Sequence, residues 1–332
     1  MKKYIIVIVM LIALSISGCT DKKAENARIR EASPIEFDIA TLNSIPNNPE
    51  ASLSVPTDIK KYGDTYFIVD CYHNRVIYND NLTDPIYEWF VMTEDIKMGH
   101  TIASDGEVYL LDDTENNRIL VMEESKNAAG LKAFIPTQEF TDMGTRPHFI
   151  VYDEATAAFY AWSSMTGEMF VIRRDADSHH MYLSDIRTIP ELDGFYVRSF
   201  TIDGNDIYFV SGNGNIIVAD LESFEIKQRY PVPADICGMI QVLKIQDYFY
   251  ITISTDVSGD QDAATIIRTH DLAGLMSGDY EDIYSNFIGG GTPYTISKID
   301  GKYYLCEHRL PGHSIWCFEI EDNNILNPIT IY

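Results

Sequence analysis

Six times between about Pro56 and Tyr332 the chain repeats one phrase: a turn, an aromatic-rich apolar run, a polar loop and a second apolar run. The aligned runs are Tyr66–Val69, Val108–Leu111, Phe159–Trp162, Ile207–Val210, Phe249–Thr252 and Tyr303–Cys306. Each reads as one strand copied six times. Periods of about 40 to 50 residues built from short strands belong to radial all-β architectures, in which each repeat buries its faces only against its neighbours. The repeat therefore predicts an all-β six-bladed β-propeller of four-stranded blades.

The starts of the innermost strands align at Pro56, Gly99, Pro147, Val197, Gly238 and Pro293, with separations of 43, 48, 50, 41 and 55 residues. Tight turns such as Gly63-Asp64, Asp105-Gly106, Asp203-Gly204 and Asp300-Gly301 follow, where glycine accepts backbone angles that other residues resist. The strand after each turn is apolar at almost every position, as expected of a sheet covered on both faces. Ring closure needs an element from a distant part of the chain. Ile35, Phe37 and Ile39 alternate with Glu36 and Asp38, which predicts a half-buried strand, and Ile325 to Tyr332 can follow as an outer strand with Pro328 at an edge. The expectation is that the N-terminal strand joins the last blade with the tail beside it, their order left open.

The first residues carry an address. Lys2 and Lys3 precede an apolar stretch from Tyr4 to Ile16, followed by Ser17-Gly18-Cys19. This is the pattern of an export signal, with an apolar core shorter than the about 20 residues of a spanning helix. Ile16-Ser17-Gly18-Cys19 resembles the lipobox of bacterial lipoproteins, which implies cleavage before Cys19 and attachment of diacylglycerol to it. The expected organisation is a signal peptide over 1–18, a polar tether over 19–33 and the propeller over 34–332. Cleavage removes two of the 25 basic residues and none of the 50 acidic ones, so the charge moves from −25 to about −27. That field opposes nucleic acid and gives no basic attachment to anionic headgroups beyond the lipid itself.

Of the remaining cysteines, Cys306 and Cys317 lie symmetrically about Pro311-Gly312, so a hairpin centred there would set them opposite each other, with or without a disulfide. Cys71 and Cys237 fall on the first and fifth blades and are expected as free, buried thiols.

Asp64-Thr65-Tyr66-Phe67-Ile68-Val69-Asp70 followed by Asn74-Arg75-Val76-Ile77 resembles an NHL-type propeller repeat. Gly106 to Asp112 followed by Asn117-Arg118-Ile119-Leu120 resembles it nearly as closely, whereas the other four repeats keep only the apolar framework. Together with the lipobox, these motifs resemble the bacterial six-bladed β-propeller lipoproteins. The bland reading of Asp70 with Arg75, and of Asp112 with Arg118, is that each carboxylate holds the guanidinium across a loop.

Propellers bind where inner-strand starts converge. The residues after the aligned starts are Thr57, His100, His148, Arg198, Met239 and Tyr294. His100, His148, Arg198 and Tyr294 are the candidate ligand-binding residues, and the bland alternative is that the histidines are hydrogen-bonded core. His100 and His148 can ligate a divalent ion while Arg198 and Tyr294 steer an anionic substrate or act as acid and base, an inventory similar to that of peptide-amidating lyases; the third histidine would have to come from His308 or His313. His179-His180 are expected to face solvent. Asp256, Asp260 and Asp262 do not match a calcium loop. Off-pattern aromatics Tyr72, Tyr87, Trp89 and Tyr196 are the candidates for a sugar-stacking surface. No catalytic elbow, phosphate loop or paired CxxC is present in the sequence. The preferred expectation is a membrane-anchored extracytoplasmic protein that binds a peptide, glycan or protein partner at a propeller mouth without catalysis or cofactor; the alternative is a metal-assisted lyase or hydrolase at the channel.

Overall fold

Each repeat forms an antiparallel sheet of four consecutive strands, and the six sheets stand around a common axis in a computed structural model that describes residues 28–38, 48 and 50–332. Blade 1 spans 56–93, blade 2 spans 102–140, blade 3 spans 147–188, blade 4 spans 197–231, blade 5 spans 238–282 and blade 6 spans 292–330. The second strand of every blade is buried along its centre, because a blade has no wet face: Phe67, Leu110, Trp162, Phe209, Ile251 and Leu305 are all fully covered.

The core is six radial seams rather than one centre. Tyr160, Trp162 and Phe209 fill the seam between blades 3 and 4, and Phe67, Tyr109 and Phe134 that between blades 1 and 2. Ile59, Ile68 and Cys306 fill the seam between blades 6 and 1. Polar side chains stitch the same seams near the axis. A hydroxyl or imidazole of one blade meets an inner-strand carbonyl of the next at every junction: Thr57 Oγ1 with His100 O, Thr114 Oγ1 with Pro147 O, His148 Nδ1 with Arg198 O, Ser199 Oγ with Ile240 O, Thr252 Oγ1 with Tyr294 O and Thr295 Oγ1 with Thr57 O, over 2.5 to 2.9 Å.

Closure differs from the sequence expectation. Two short N-terminal strands, β1 (Arg30–Glu31) and β2 (Ser33–Pro34), pair with the outer strands of blades 3 and 2, not with blade 6. Ala32 between them is buried in the seam of those blades, so the segment straps two neighbours together. Arg30 to Ser33, assigned to the tether in sequence, therefore already touch the blades. Blade 6 takes all four of its strands from 292–330. Its junction with blade 1 is secured by Tyr332, which packs edge-on against Trp89, accepts from its indole N–H at 3.0 Å and donates to the Asp84 carbonyl at 2.7 Å.

The cysteine hairpin is also offset. Cys306 lies opposite Ile315 and Cys317 opposite Tyr304, a two-residue slip that leaves both thiols free and buried in one seam. Cys71 and Cys237 are likewise free and buried.

Candidate functional site

The inner strands carry a repeated irregularity that builds the channel mouth. In blades 1, 3, 4, 5 and 6 the ladder to the second strand skips a register at the start, between Pro56 and Asp58, Pro147 and Phe149, Val197 and Phe200, Gly238 and Gln241, and Pro293 and Ile296. A bulge of this kind frees a residue from the ladder and re-aims its side chain. The freed residues include Thr57, His148, Arg198 and Tyr294, with His100 at the equivalent place just before the inner strand of blade 2. In blade 5 the double slip makes the channel residue Ile240, while the expected Met239 turns into the seam of blades 4 and 5.

In blades 1 to 3 the residue before each start, Val55, Met98 or Arg146, is left-handed with φ of 59°, 56° and 59°. The amides of Met98 and Arg146 are held by the side chains of Asn74 and Asn117, each from the preceding blade, at 2.9 and 2.8 Å. Those asparagines are the first members of the Asn-Arg motifs. The motif thus positions the mouth of the next blade, a role the sequence did not reveal.

The result is a cavity of about 210 Å³ to which all six blades contribute, among them Thr57, His100, Arg146, Arg198, Ile240 and Tyr294. His100 and His148 stack face to face at 3.7 Å, and Tyr294 lies parallel to His100 at 6.0 Å. His148 forms part of the floor rather than the lining: it is 1% exposed, its Nδ1 bonds the Arg198 carbonyl, and Nε2 has no partner. Because a carbonyl only accepts, Nδ1 carries the proton and Nε2 a bare lone pair. His100 Nδ1 meets Thr114 Oγ1 at 3.1 Å, and its Nε2 faces Cys71 Sγ at 3.7 Å.

Burial pushes the His100 imidazole down to about 3, helped by the Arg146 and Arg198 charges. Burial and the facing His100 likewise hold His148 well below its ordinary value. Both rings are neutral at physiological pH. Burial raises the Tyr294 phenol well above its usual range, so it is a neutral donor there. Burial also raises the Cys71 thiol, which is no nucleophile at neutral pH.

Under the histidines lies Asp112, fully buried. It accepts from the His100 and Thr101 amides and from the Thr101 hydroxyl at 2.6 to 2.8 Å, with the Thr114 hydroxyl, whose one proton is shared with the Pro147 carbonyl, at 2.9 Å, and burial lifts it to about 6. The sequence pairing of Asp112 with Arg118 is therefore corrected: Arg118 bonds Asp113 at 2.7 Å, the true equivalent of Asp70 with Arg75 at 2.8 Å. Both motif carboxylates also receive the amide two residues before their inner-strand start, Ser54 to Asp70 and Lys97 to Asp113.

A metal on His100 and His148 does not fit this geometry. Lone pairs lie in the ring planes, and an ion between stacked rings would stand roughly half of their 3.7 Å separation out of each plane. That is nearly the whole of a metal–nitrogen bond of about 2.0 Å. His308 lines the cavity and His313 does not, yet no cluster of three metal-binding side chains forms among the described residues. Asp256 and Asp260 turn onto amides of their own loop, and Asp262 pairs with Arg309.

Two of the four off-pattern aromatics reach the mouth. Tyr196 lies beneath the Arg198 and Arg146 guanidiniums at 5.3 and 5.9 Å, and Tyr72 stands exposed at the rim. Tyr87 is exposed elsewhere, and Trp89 is a core residue at 0% exposure. His179 and His180 face solvent against Glu123 and Glu31. Cys19 lies outside the described residues.

No family model and no curated protein matches the sequence. Solved structures match the shape. A Bacteroides fragilis protein named as a candidate 6-phosphogluconolactonase shares 13% identity over 92% of this chain and 95% of its own, with a TM-score of 0.57. A similarly named Bacteroides uniformis protein shares 12% over 81% and 82%, with a TM-score of 0.55. The WD40 β-propeller domain of Doa1 shares 11% over 83% of each chain, with a TM-score of 0.51. At such identity these likenesses carry the fold alone. The chain is a six-bladed β-propeller with a polar, aromatic-walled mouth.

Proposed function

We propose that this protein is a lipid-anchored extracytoplasmic binding protein whose propeller mouth engages a ligand without transforming it. The observation that carries the reading is the convergence of His100, Arg198 and Tyr294 with Arg146 and Tyr196 on one cavity fed by all six blades. Propeller rings hold such a mouth rigid, because Thr57, Arg198 and Tyr294 sit at the starts of packed inner strands. Chemistry has little purchase there: the imidazoles are neutral and stacked, burial holds the phenol protonated, and the Cys71 thiol that faces His100 is raised by burial rather than activated. The anchor is supported by Lys2, Lys3, the Tyr4–Ile16 run and Cys19. An aromatic rim with fixed donors suits a peptide or glycan ligand.

Two measurements test this. Cys19→Ala expressed in a bacterial host is expected to move the protein from the membrane to the soluble fraction; retention at the membrane sinks the anchor. Peptide and glycan arrays probed with the wild-type domain and with Tyr294→Phe/His100→Gln are expected to show a ligand that only the wild type holds and that is recovered unaltered. Recovery of a cleaved product would replace binding with catalysis.

A further inference from the structure

Arg198 is an unusual arginine in this molecule. The chain is strongly acidic, and Arg75, Arg118, Arg174 and Arg268 each hold a carboxylate. Arg198 holds none among the described residues. One of its five N–H donors goes to Ser254 Oγ, and its face rests near the Tyr196 ring. The remaining N–H groups have no acceptor among the described residues, and the half-buried side chain borders the cavity. Arg146 beside it is already balanced by Glu115.

We propose that the mouth is a carboxylate site: a ligand's acid group seats on the free fork of Arg198, with the group that bears it laid against Tyr196 and Tyr72. Four features favour a carboxylate. A planar guanidinium with adjacent free N–H groups matches a carboxylate in bidentate fashion. Of the two arginines lining the cavity, Arg146 is paired with Glu115 and Arg198 holds no carboxylate among the described residues, which suits a monoanion and disfavours a phosphate dianion inside a chain of charge −25. The cavity of about 210 Å³ is smaller than the about 300 to 1,000 Å³ of whole-ligand pockets, so it admits an end group while the rest lies on the rim. The rim there offers flat rings in Tyr72, at 58% exposure, and half-buried Tyr196. Neutral imidazoles below the guanidinium leave its charge unopposed and add none of their own.

This inference rests on the mouth reading above and narrows it to one chemistry. The carboxylate can come from a sugar acid or from a peptide C-terminus, and the test separates them. Calorimetric titration at low salt pairs galacturonate with its methyl ester, and N-acetyl-phenylalanine with its amide. The acid of one pair is expected to bind at least about tenfold tighter than its neutral partner, a difference of about 1.4 kcal/mol. Arg198→Gln is expected to abolish that preference and Arg198→Lys to keep only part of it, with circular dichroism reporting the fold of each. Should Arg198→Gln fail to fold, imidazole nitrogen resonances of His100 in the wild type supply the readout: the acid shifts them and the neutral partner does not. Equal binding of acid and neutral partner, an acid preference that survives Arg198→Gln, or no response to either acid at about 10 mM overturns the proposal. A neutral ligand lost on Tyr294→Phe/His100→Gln would leave the mouth reading standing without the carboxylate. Acid binding untouched by every mouth substitution would remove both.

Discussion

At the scale of single residues, the stacked histidines make stability depend on pH in a direction that can be worked out. The His100 value falls from 6.5 to about 3 on folding, so between those limits the unfolded chain binds more protons than the folded one. Stability therefore drops as pH is lowered through that window. From pH 7 to pH 5 the loss for His100 is about 2 kcal/mol, and His148 shifts in the same direction. Asp112 opposes them. Its folded value near 6 lies above the ordinary 3.8, so its protonation favours the native state as pH falls, by about 1.4 kcal/mol over the same range. Elsewhere buried Asp58 and Glu307 shift with Asp112 and His308 shifts with the imidazoles, so the His100 contribution is read by difference between wild type and variant. Between pH 7 and pH 5 the thermal midpoint of wild type is expected to lose ground relative to that of His100→Gln. A wild-type midpoint that gains on the variant's as pH falls would mean that the His100 imidazole is charged in the native state.

At the scale of strands and turns, the seam hydrogen bonds near the axis are the elements' own clamp. Thr295→Val keeps shape but removes the donor to the Thr57 carbonyl, which is buried and then unpaired. The expected cost is about 1 to 3 kcal/mol, read from urea unfolding, with the slope unchanged. Asn117→Ala is expected to cost about 1 kcal/mol by releasing the Arg146 amide, and hydrogen exchange at that amide should rise. These elements also show what the sequence could and could not reveal. The second strands were legible because burial on both faces makes them continuous apolar runs. The inner-strand starts were legible in four blades because Pro56, Pro147, Val197 and Gly238 mark them. The blade 5 channel residue was not, since two register shifts in three residues move the site from Met239 to Ile240. The choice of Asp113 over Asp112 depended on a one-residue register that adjacent aspartates do not display. The strap β1–β2 was illegible for a different reason: two-residue strands leave no period to read.

At the scale of the whole ring, one seam differs from the other five, because chain continuity holds those together and only non-covalent contacts hold blade 6 to blade 1. Ile59, Ile68 and Cys306 supply the buried contact, Lys60 reaches Ser297 at 3.0 Å, and Tyr332 bonds across to Trp89 and Asp84. The N-terminal strap does nothing for this junction, since it ties blades 2 and 3. Opening is therefore expected to begin between the inner strands at 56–62 and 292–299. Tyr332→Ala removes a half-buried ring and the partner of a fully buried indole, whose remaining bond to the Asp84 carbonyl spans 3.1 Å. The expected cost is about 2 to 3 kcal/mol, below that of a fully buried aromatic. Tyr332→Phe is expected to cost about 1 kcal/mol, since it removes the hydroxyl alone. Native-state hydrogen exchange reads the location: in Tyr332→Ala, protection should fall first along 56–62 and 292–299 while 147–153 and 197–203 stay protected. Uniform loss across all six blades would mean that the ring opens as a single unit and that no seam is the weak one.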